Sequence, residues 1–419
     1  MRFGLRGSAW RIVATAVAAL ALGAHAAEPA LPDPLKLSDA LTIAREHRAE
    51  IAAAKARAYA ASRRPAVVSG LEDPEIAPSL DHLPFMLDGA NFSVSIQQRF
   101  PLSGVLGFKG RAAEAEAARV AAEARRVGLD VELDAAAAFF MVHEKRGMGR
   151  VLDEQRALAK QVVDSATARY ASGNGSQAEV LRAEMELARL GAASRANAAE
   201  VRGAEAMLEV SLGRAPSGGV PALDVAIATG APTGTGEAMK RSLEARPELA
   251  AGRAEIDRAD AETRTMRAMA APMMMVRTGP AYTMTEGAGW MLMVGVSVPL
   301  WFGKYKAGID EADAMAEMAR ADLTAMQRMV AGDAAQARER VMAARERYLS
   351  LRDDVLPRAT RAVQPTLAAY ASGQVPLVSV VEAVNALWMA QGELVMAEAE
   401  LGLAWARLDR ALGVQRGTP

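Results

Sequence analysis

The sequence predicts a mainly α-helical chain with a small β part, built as two copies of a unit in which paired strands lead into a long helical hairpin. Three observations predict it. Tyr170-Ala171-Ser172-Gly173 recurs as Tyr370-Ala371-Ser372-Gly373, 200 residues on. Arg48-Ala49-Glu50-Ile51 is echoed by Arg246-Pro247-Glu248-Leu249, and Phe100-Pro101-Leu102 by Val298-Pro299-Leu300, both 198 residues on. Matches in one order at near-constant spacing mark a tandem duplication. There is no proline between Pro101 and Pro216, so a long stretch is free to be helical. Apolar residues make up 51% but aromatics only 5%, the excess being alanine, which suits close-packed long helices rather than one thick core.

In chain order, residues 1–27 read as a secretory signal peptide. Arg2, Arg6 and Arg11 form a basic start, Ile12 to Leu22 an apolar run, and Ala24-His25-Ala26 a small-residue cleavage site. The apolar run is well short of the ~20 residues a spanning helix needs. Next come the strand segments. Asn91 to Gln97 alternates apolar and polar residues, as Met291 to Val298 does more weakly. Pro74 to Leu80 and Met273 to Met284 supply partners, giving each repeat two strands of a length suited to a tilted membrane strand.

The long helices follow. Arg111 to Arg169 is dense in Ala, Glu and Arg, and a helix from about Val105 to Tyr170 is ~100 Å long at ~1.5 Å per residue. Lys304 to Tyr370 is its counterpart, with apolar positions stepping by three and four through Ile309, Ala312, Met315 and Met318. Pro357 and Pro365 are expected to kink or break the second helix only. Each long helix ends at a glycine turn. Ser176-Gln177-Ala178-Glu179 reads as a capping box for the first return helix, and Pro376 suits the first position of the second. The return helices run to about Leu212 and Leu412, each stopped by glycine.

These elements divide the chain into a first repeat at 28–212, a linker or equatorial segment at 213–240, a second repeat at 241–413 and a tail at 414–419. Four strands do not close a barrel, since small barrels need about eight. An open sheet in lipid leaves unpaired backbone groups. Pooled strands from three copies make 12, a quasi-sixfold tube. Oligomerisation is therefore expected.

Composition excludes much else. The chain has no cysteine, which removes disulfides, thiolate metal sites, catalytic thiols and thiol-linked lipid. Net charge is −1, so no nucleic-acid partner is suggested. No Ser/His/Asp order, phosphate-cradling loop or paired-carboxylate pattern stands out, so no enzyme and no cofactor is read.

The lead-in helix through Ala40-Leu41 and Glu50-Ile51, the strand exit Gln97-Gln98-Arg99-Phe100-Pro101-Leu102-Ser103-Gly104 and the paired tips resemble the TolC family of outer-membrane efflux channels. The resemblance spans Leu37 to about Leu412. The Asp73-Pro74 and Gln98-Arg99-Phe100-Pro101 neighbourhoods look most like its heavy-metal efflux branch (CzcC/CusC-like). It implies a homotrimer with a 12-stranded β-barrel in outer-membrane lipid and an α-barrel crossing the periplasm. It also implies a periplasmic adaptor and an inner-membrane efflux pump as partners. Heavy-metal cations are the implied cargo. The same duct serving drugs or secreted proteins, and a periplasmic coiled-coil scaffold, are the alternatives.

The resemblance also implies that the tips, Tyr170, Ser172, Gly173, Tyr370, Ser372 and Gly373, meet the adaptor. Their glycines need a positive φ in any case. It puts a constriction at Ser379 and Glu382, where the family carries two acidic residues. The serine departs from that pattern, and Glu382 is equally readable as a helix cap. Met266, Met269, Met273, Met274, Met275, Met284, Met291 and Met293 form a cluster. Met273, Met275, Met291 and Met293 share faces by the two-residue period of a strand. Thioethers suit Cu(I), but methionine is also a flexible apolar filler. His25, His47, His82 and His143 are scattered, with no pair at metal-binding spacing.

Overall fold

The structure is a computed structural model that describes residues 30–81, 91–283 and 286–415. The signal-peptide reading, Met284, His25, His82 and residues 416–419 lie outside the described residues. In the first repeat a short strand β1 (Leu35–Lys36) leads into helices α1 (Leu37–His47) and α2 (Ala49–Val68). Strands β2 (Glu75–Asp81) and β3 (Asn91–Pro101) follow, then the hairpin helices α3 (Val105–Ala171) and α4 (Gln177–Ser211). A linker carries β4 (Leu223–Asp224), which pairs in parallel with β1. The second repeat comprises α5 (Thr235–Ala245), α6 (Pro247–Met269), β5 (Met273–Thr283) and β6 (Gly287–Ser297). Its hairpin is α7 (Phe302–Ser350), a π turn (Leu351–Val355), α8 (Leu356–Ala371) and α9 (Leu377–Leu412). Helix α5 begins at Thr235, inside the stretch read from sequence as linker.

The lead-in helix expected to run unbroken through Ala40 and Glu50 is two helices. Arg48 is extended (φ −69°, ψ 125°), and so is its counterpart Arg246 (φ −62°, ψ 123°). In the second repeat the following Pro247 disfavours helical backbone at Arg246. In both, the freed arginine does the same thing. Arg48 donates Nε and Nη2 to Glu50 at 2.8 and 2.7 Å, and Nη1 to the Ser211 carbonyl at 3.3 Å. Arg246 donates to Glu248 at 3.0 and 3.2 Å, and to the Ala411 carbonyl at 3.3 Å. The echoed tetrapeptide thus ties each lead-in pair to the end of its return helix.

The second tie is the more buried, and Arg410 also donates to Glu248 at 2.7 Å. Burial raises the pKa of Glu248, but the guanidinium groups of Arg410 and Arg246 outweigh it and hold the carboxyl below its ordinary value. Its contribution to stability is complete above the ordinary carboxylate range and is lost as pH falls through the depressed folded value. Arg246→Ala is expected to cost about 2–3 kcal/mol, from a lost charged hydrogen bond and an exposed buried charge. Arg48→Ala is expected to cost less, because Glu50 is largely exposed. Thermal unfolding in detergent at neutral and acid pH checks both the order and the sign.

Four apolar clusters among the described residues hold the helices together, the smallest being Ala259, Ala316 and Ala319 between α6 and α7. Leu35, Leu41, Phe139, Phe140, Leu208 and Leu212 form the first, around the middle of α3. Ala238, Val341, Leu401 and Leu408 are its second-repeat counterpart. The third lies near the tips and joins Val162, Ala166 and Ala183 to Val363, Tyr370, Val380 and Val384. The linker is strapped across the outside. Arg146 donates to the Val220 and Pro221 carbonyls, Arg345 to Thr229, Arg338 to Thr233 and Trp405 to Ala228.

Pro357 and Pro365 do not break the second hairpin. Helix continues through both, and the distortion is a π turn just before Pro357, where the Leu356 N–H bonds five residues back to Leu351. A proline cannot donate its i→i−4 bond, and the wider turn makes room for its ring. Pro376 also differs from expectation. It is the cap residue (φ −75°, ψ 161°), and α9 starts one residue later.

Candidate functional site

Two regions are the candidate sites: the sheet at one end of the hairpins and the tips at the other. The sheet has the antiparallel order β2-β3-β5-β6, with β3–β5 joining the repeats. Alternation sorts its side chains. Ile76, Leu80, Phe92, Ile96, Trp290, Leu292, Val294 and Val296 form one face, and all are exposed. Ser93, Ser95 and Gln97 lie on the other and are buried. There Ser79 and Ser93 are hydrogen bonded at 2.7 Å, and Arg277 donates twice to Gln97 at 3.0 and 2.6 Å. Among the described residues, strands β2 and β6 have no outer neighbour.

The register places Met275 opposite Gly295, Arg277 opposite Met293, Gly279 opposite Met291 and Met273 opposite Ser297. Met273, Met275, Met291 and Met293 therefore lie on one face, the polar one, with Arg277 among them. Among the described residues no group of three or more His, Cys, Asp or Glu is placed to hold a metal. Met266 and Met269 join Met273 in lining a cavity with Arg99, Lys109 and Lys304 where the sheet meets the helices. Among the described residues, no helix is long and apolar enough to cross a membrane.

At the tips, Gly173 and Gly373 take φ of 76° and 80°, closing each helix in the left-handed conformation that glycine adopts without strain. The first return helix is capped by Ser176, whose Oγ accepts from the Glu179 N–H at 3.3 Å. The Glu179 carboxylate does not complete a capping box. It accepts instead from the Tyr370 hydroxyl at 3.2 Å. Arg169 donates to the Tyr370 carbonyl at 2.6 Å and the Asn174 carbonyl at 2.9 Å, and its guanidinium lies 4.7 Å over the Tyr370 ring. Burial, then the Glu179 carboxylate, push the Tyr370 phenol above its ordinary pKa, so it remains a donor at neutral pH.

The two repeated tyrosines therefore differ. Tyr370 is 1% exposed and pinned by the first hairpin, whereas Tyr170 is 49% exposed. Tyr170, Ser172, Gly173, Ser372 and Gly373 are all exposed at the tips. Ser379 is half-buried and Glu382 exposed. Since α9 starts at Leu377, Glu382 is past its first turn and is not a cap. Sequence reading missed Arg169, and it gave Glu179 a local capping role in place of its bond to Tyr370. The available signal was a break in the duplication, because their counterparts are Ala369 and Ser379.

Residues 238–414, essentially the second repeat, match the family described as outer membrane efflux protein. No curated protein matches the chain by sequence. Solved structures define the fold. The chain is similar to the outer-membrane channel OprN, with 18% identity, 90% of each chain covered and a TM-score of 0.79. It is similar to the outer membrane protein VceC of Vibrio cholerae, with 16% identity, 90% and 96% covered and a TM-score of 0.78. CusC, whose crystal structures concern folding and transmembrane channel formation, gives 15% identity, 90% and 92% covered and 0.79. The fold is that of outer-membrane channels, mostly helical with a small sheet.

Proposed function

We propose that this chain is the outer-membrane exit duct of a tripartite efflux system, three copies closing into one tube. The sheet carries this reading. Its strands run 7 to 11 residues, one face is apolar and exposed, the other polar, and both edges are free. In lipid such edges must be paired, and pairing β6 of one copy with β2 of the next gives a closed 12-stranded barrel with its apolar face outward. The hairpins then form a helical tube across the periplasm, and cargo passes through without chemistry at the protein.

The tips, with Leu181, Met185, Val378 and Met389 exposed nearby, are the docking end for a periplasmic adaptor that connects to an inner-membrane pump. Ser379 and Glu382 line the constriction, which has one acidic residue per copy. The pinned Tyr370 holds it shut. Heavy-metal cations are the cargo we assign. Four thioethers on the polar face of the sheet support this, with the Asp73-Pro74 and Gln98-Arg99-Phe100-Pro101 neighbourhoods.

A strain lacking the gene is expected to lose tolerance to copper, silver, zinc or cobalt, and the intact gene to restore it. Unchanged metal tolerance with a new sensitivity to drugs overturns the cargo and leaves the duct. Protein that purifies from the soluble fraction without detergent overturns the duct itself.

A further inference from the structure

Within one chain α6 is packed between α3 and α7, whereas its counterpart α2 packs on α3. The duplication implies an equivalent contact that one chain does not make: α2 against α7 of a second copy. The α3–α6 contact is antiparallel and keyed by charge, Arg119 to Glu255 at 3.7 Å and Arg258 to Glu116 at 3.9 Å. Shifting each residue by the repeat spacing carries Glu255 to Arg57 and Arg119 to Glu317, and carries Arg258 and Glu116 to Ala60 and Ala314. The first ion pair reappears with its charges exchanged. In the same register Arg64 falls opposite Asp310, and Arg63 opposite Glu311.

All six of these charged residues are exposed. After Glu50, α2 carries Lys55, Arg57, Arg63 and Arg64 and no carboxylate. Facing them, Asp310, Glu311 and Glu317 on α7 make no ion pair among the described residues. Exposed apolar groups accompany both faces, Tyr59 and Val67 on α2, Met315 and Met318 on α7.

We propose that α2 of one copy docks antiparallel on α7 of the next, Arg57 to Glu317 and Arg64 to Asp310, as the seam that closes the ring. This rests on the tube reading above. The exchange of sign adds specificity, because unlike charges meet only when first and second repeats alternate. Were α2 to take the place of α6 on α3, Arg57 would meet Arg119. Were α6 of one copy to dock on α7 of another, Glu255 would meet Glu317. Both wrong arrangements juxtapose like charges, the usual means of rejecting an alternative partner. The contact is heterologous and closes on itself as a ring.

The test uses the full chain extracted from membranes. Ala60→Cys combined with Ala314→Cys, in a chain with no other cysteine, is expected to yield covalent dimers and trimers with a short thiol-to-thiol crosslinker. Either single variant should remain monomeric on a denaturing gel. Arg57→Glu or Glu317→Arg alone should lower trimer recovery about tenfold, and the pair together should restore it. Trimers by light scattering without crosslinking, or a double variant no better than the singles, overturn the seam but leave the tube. A monomer under all conditions overturns the tube.

Discussion

Gly279→Val is expected to abolish the assembled protein, while Gly289→Ala in the same sheet leaves it intact. Gly279 sits on β5, and a side chain there runs directly into the backbone of β3, at the Val94 carbonyl and Ser95 Cα. The ladder shows the pinch. Ser93 pairs with Ala281 and Ile96 with Thr278 in one continuous register, while Val94 and Ser95 between them are not paired with β5 and Pro280 offers no N–H. A flexible neighbour can move aside, but a strand backbone held by its ladder cannot, so overpacking should cost on the order of 3 kcal/mol or more. The damage falls on the β3–β5 junction, which among the described residues is the only pairing between the two repeats' strands. Without it no four-strand unit can join the proposed barrel. At Gly289 the nearest atom to an added Cβ is 4.0 Å away. Membrane-fraction yield and circular dichroism of the two variants decide the matter, and an assembled Gly279→Val protein would contradict the pinch.

The second large effect is expected at the tips. Arg169→Ala with Tyr370→Phe should raise single-channel conductance in planar bilayers and lengthen open periods. The double change removes a charged hydrogen bond to the Tyr370 carbonyl, the cation–π contact and the hydroxyl bond to Glu179. A charged hydrogen bond of about 2 kcal/mol and a half-buried cation–π contact of about 1 kcal/mol total about 3 kcal/mol. That shifts a closed-to-open equilibrium roughly a hundredfold. Tyr170→Phe is the control, since its exposed ring has neither partner. Equal conductance in the double variant and the unmodified protein would show that the pin does not hold the passage closed.

The duplication made most of the fold legible. Helix α3 was readable to within a residue or so because no proline interrupts Val105 to Ala171 and Ala, Glu and Arg are dense within it. The strands were readable because alternation survives in β3. What sequence could not supply was long-range pairing. The echo of Arg48 in Arg246 announced a repeat but gave no hint that both side chains reach a carbonyl near the end of a return helix. The capping-box pattern at Ser176 was correct for the hydroxyl and misleading for Glu179, because a tertiary partner outcompetes a local one. The four methionines were assigned to faces within each strand, but only the β5–β6 register put them together, with Arg277 in their midst.

The π turn has a geometric consequence of its own. Both outbound helices start where the sheet ends and finish at tips that touch, so they must cover the same height. Yet α3 has 67 residues, while α7, the π turn and α8 contribute 49, 5 and 16. In uniform α-helix each surplus residue would push the second tip about 1.5 Å beyond the first. A wider turn coils part of that surplus sideways instead of along the axis. The two tips stay level because the longer helix is locally wound fatter, and the jump in repeat spacing from 198 to 200 is the trace left in the sequence.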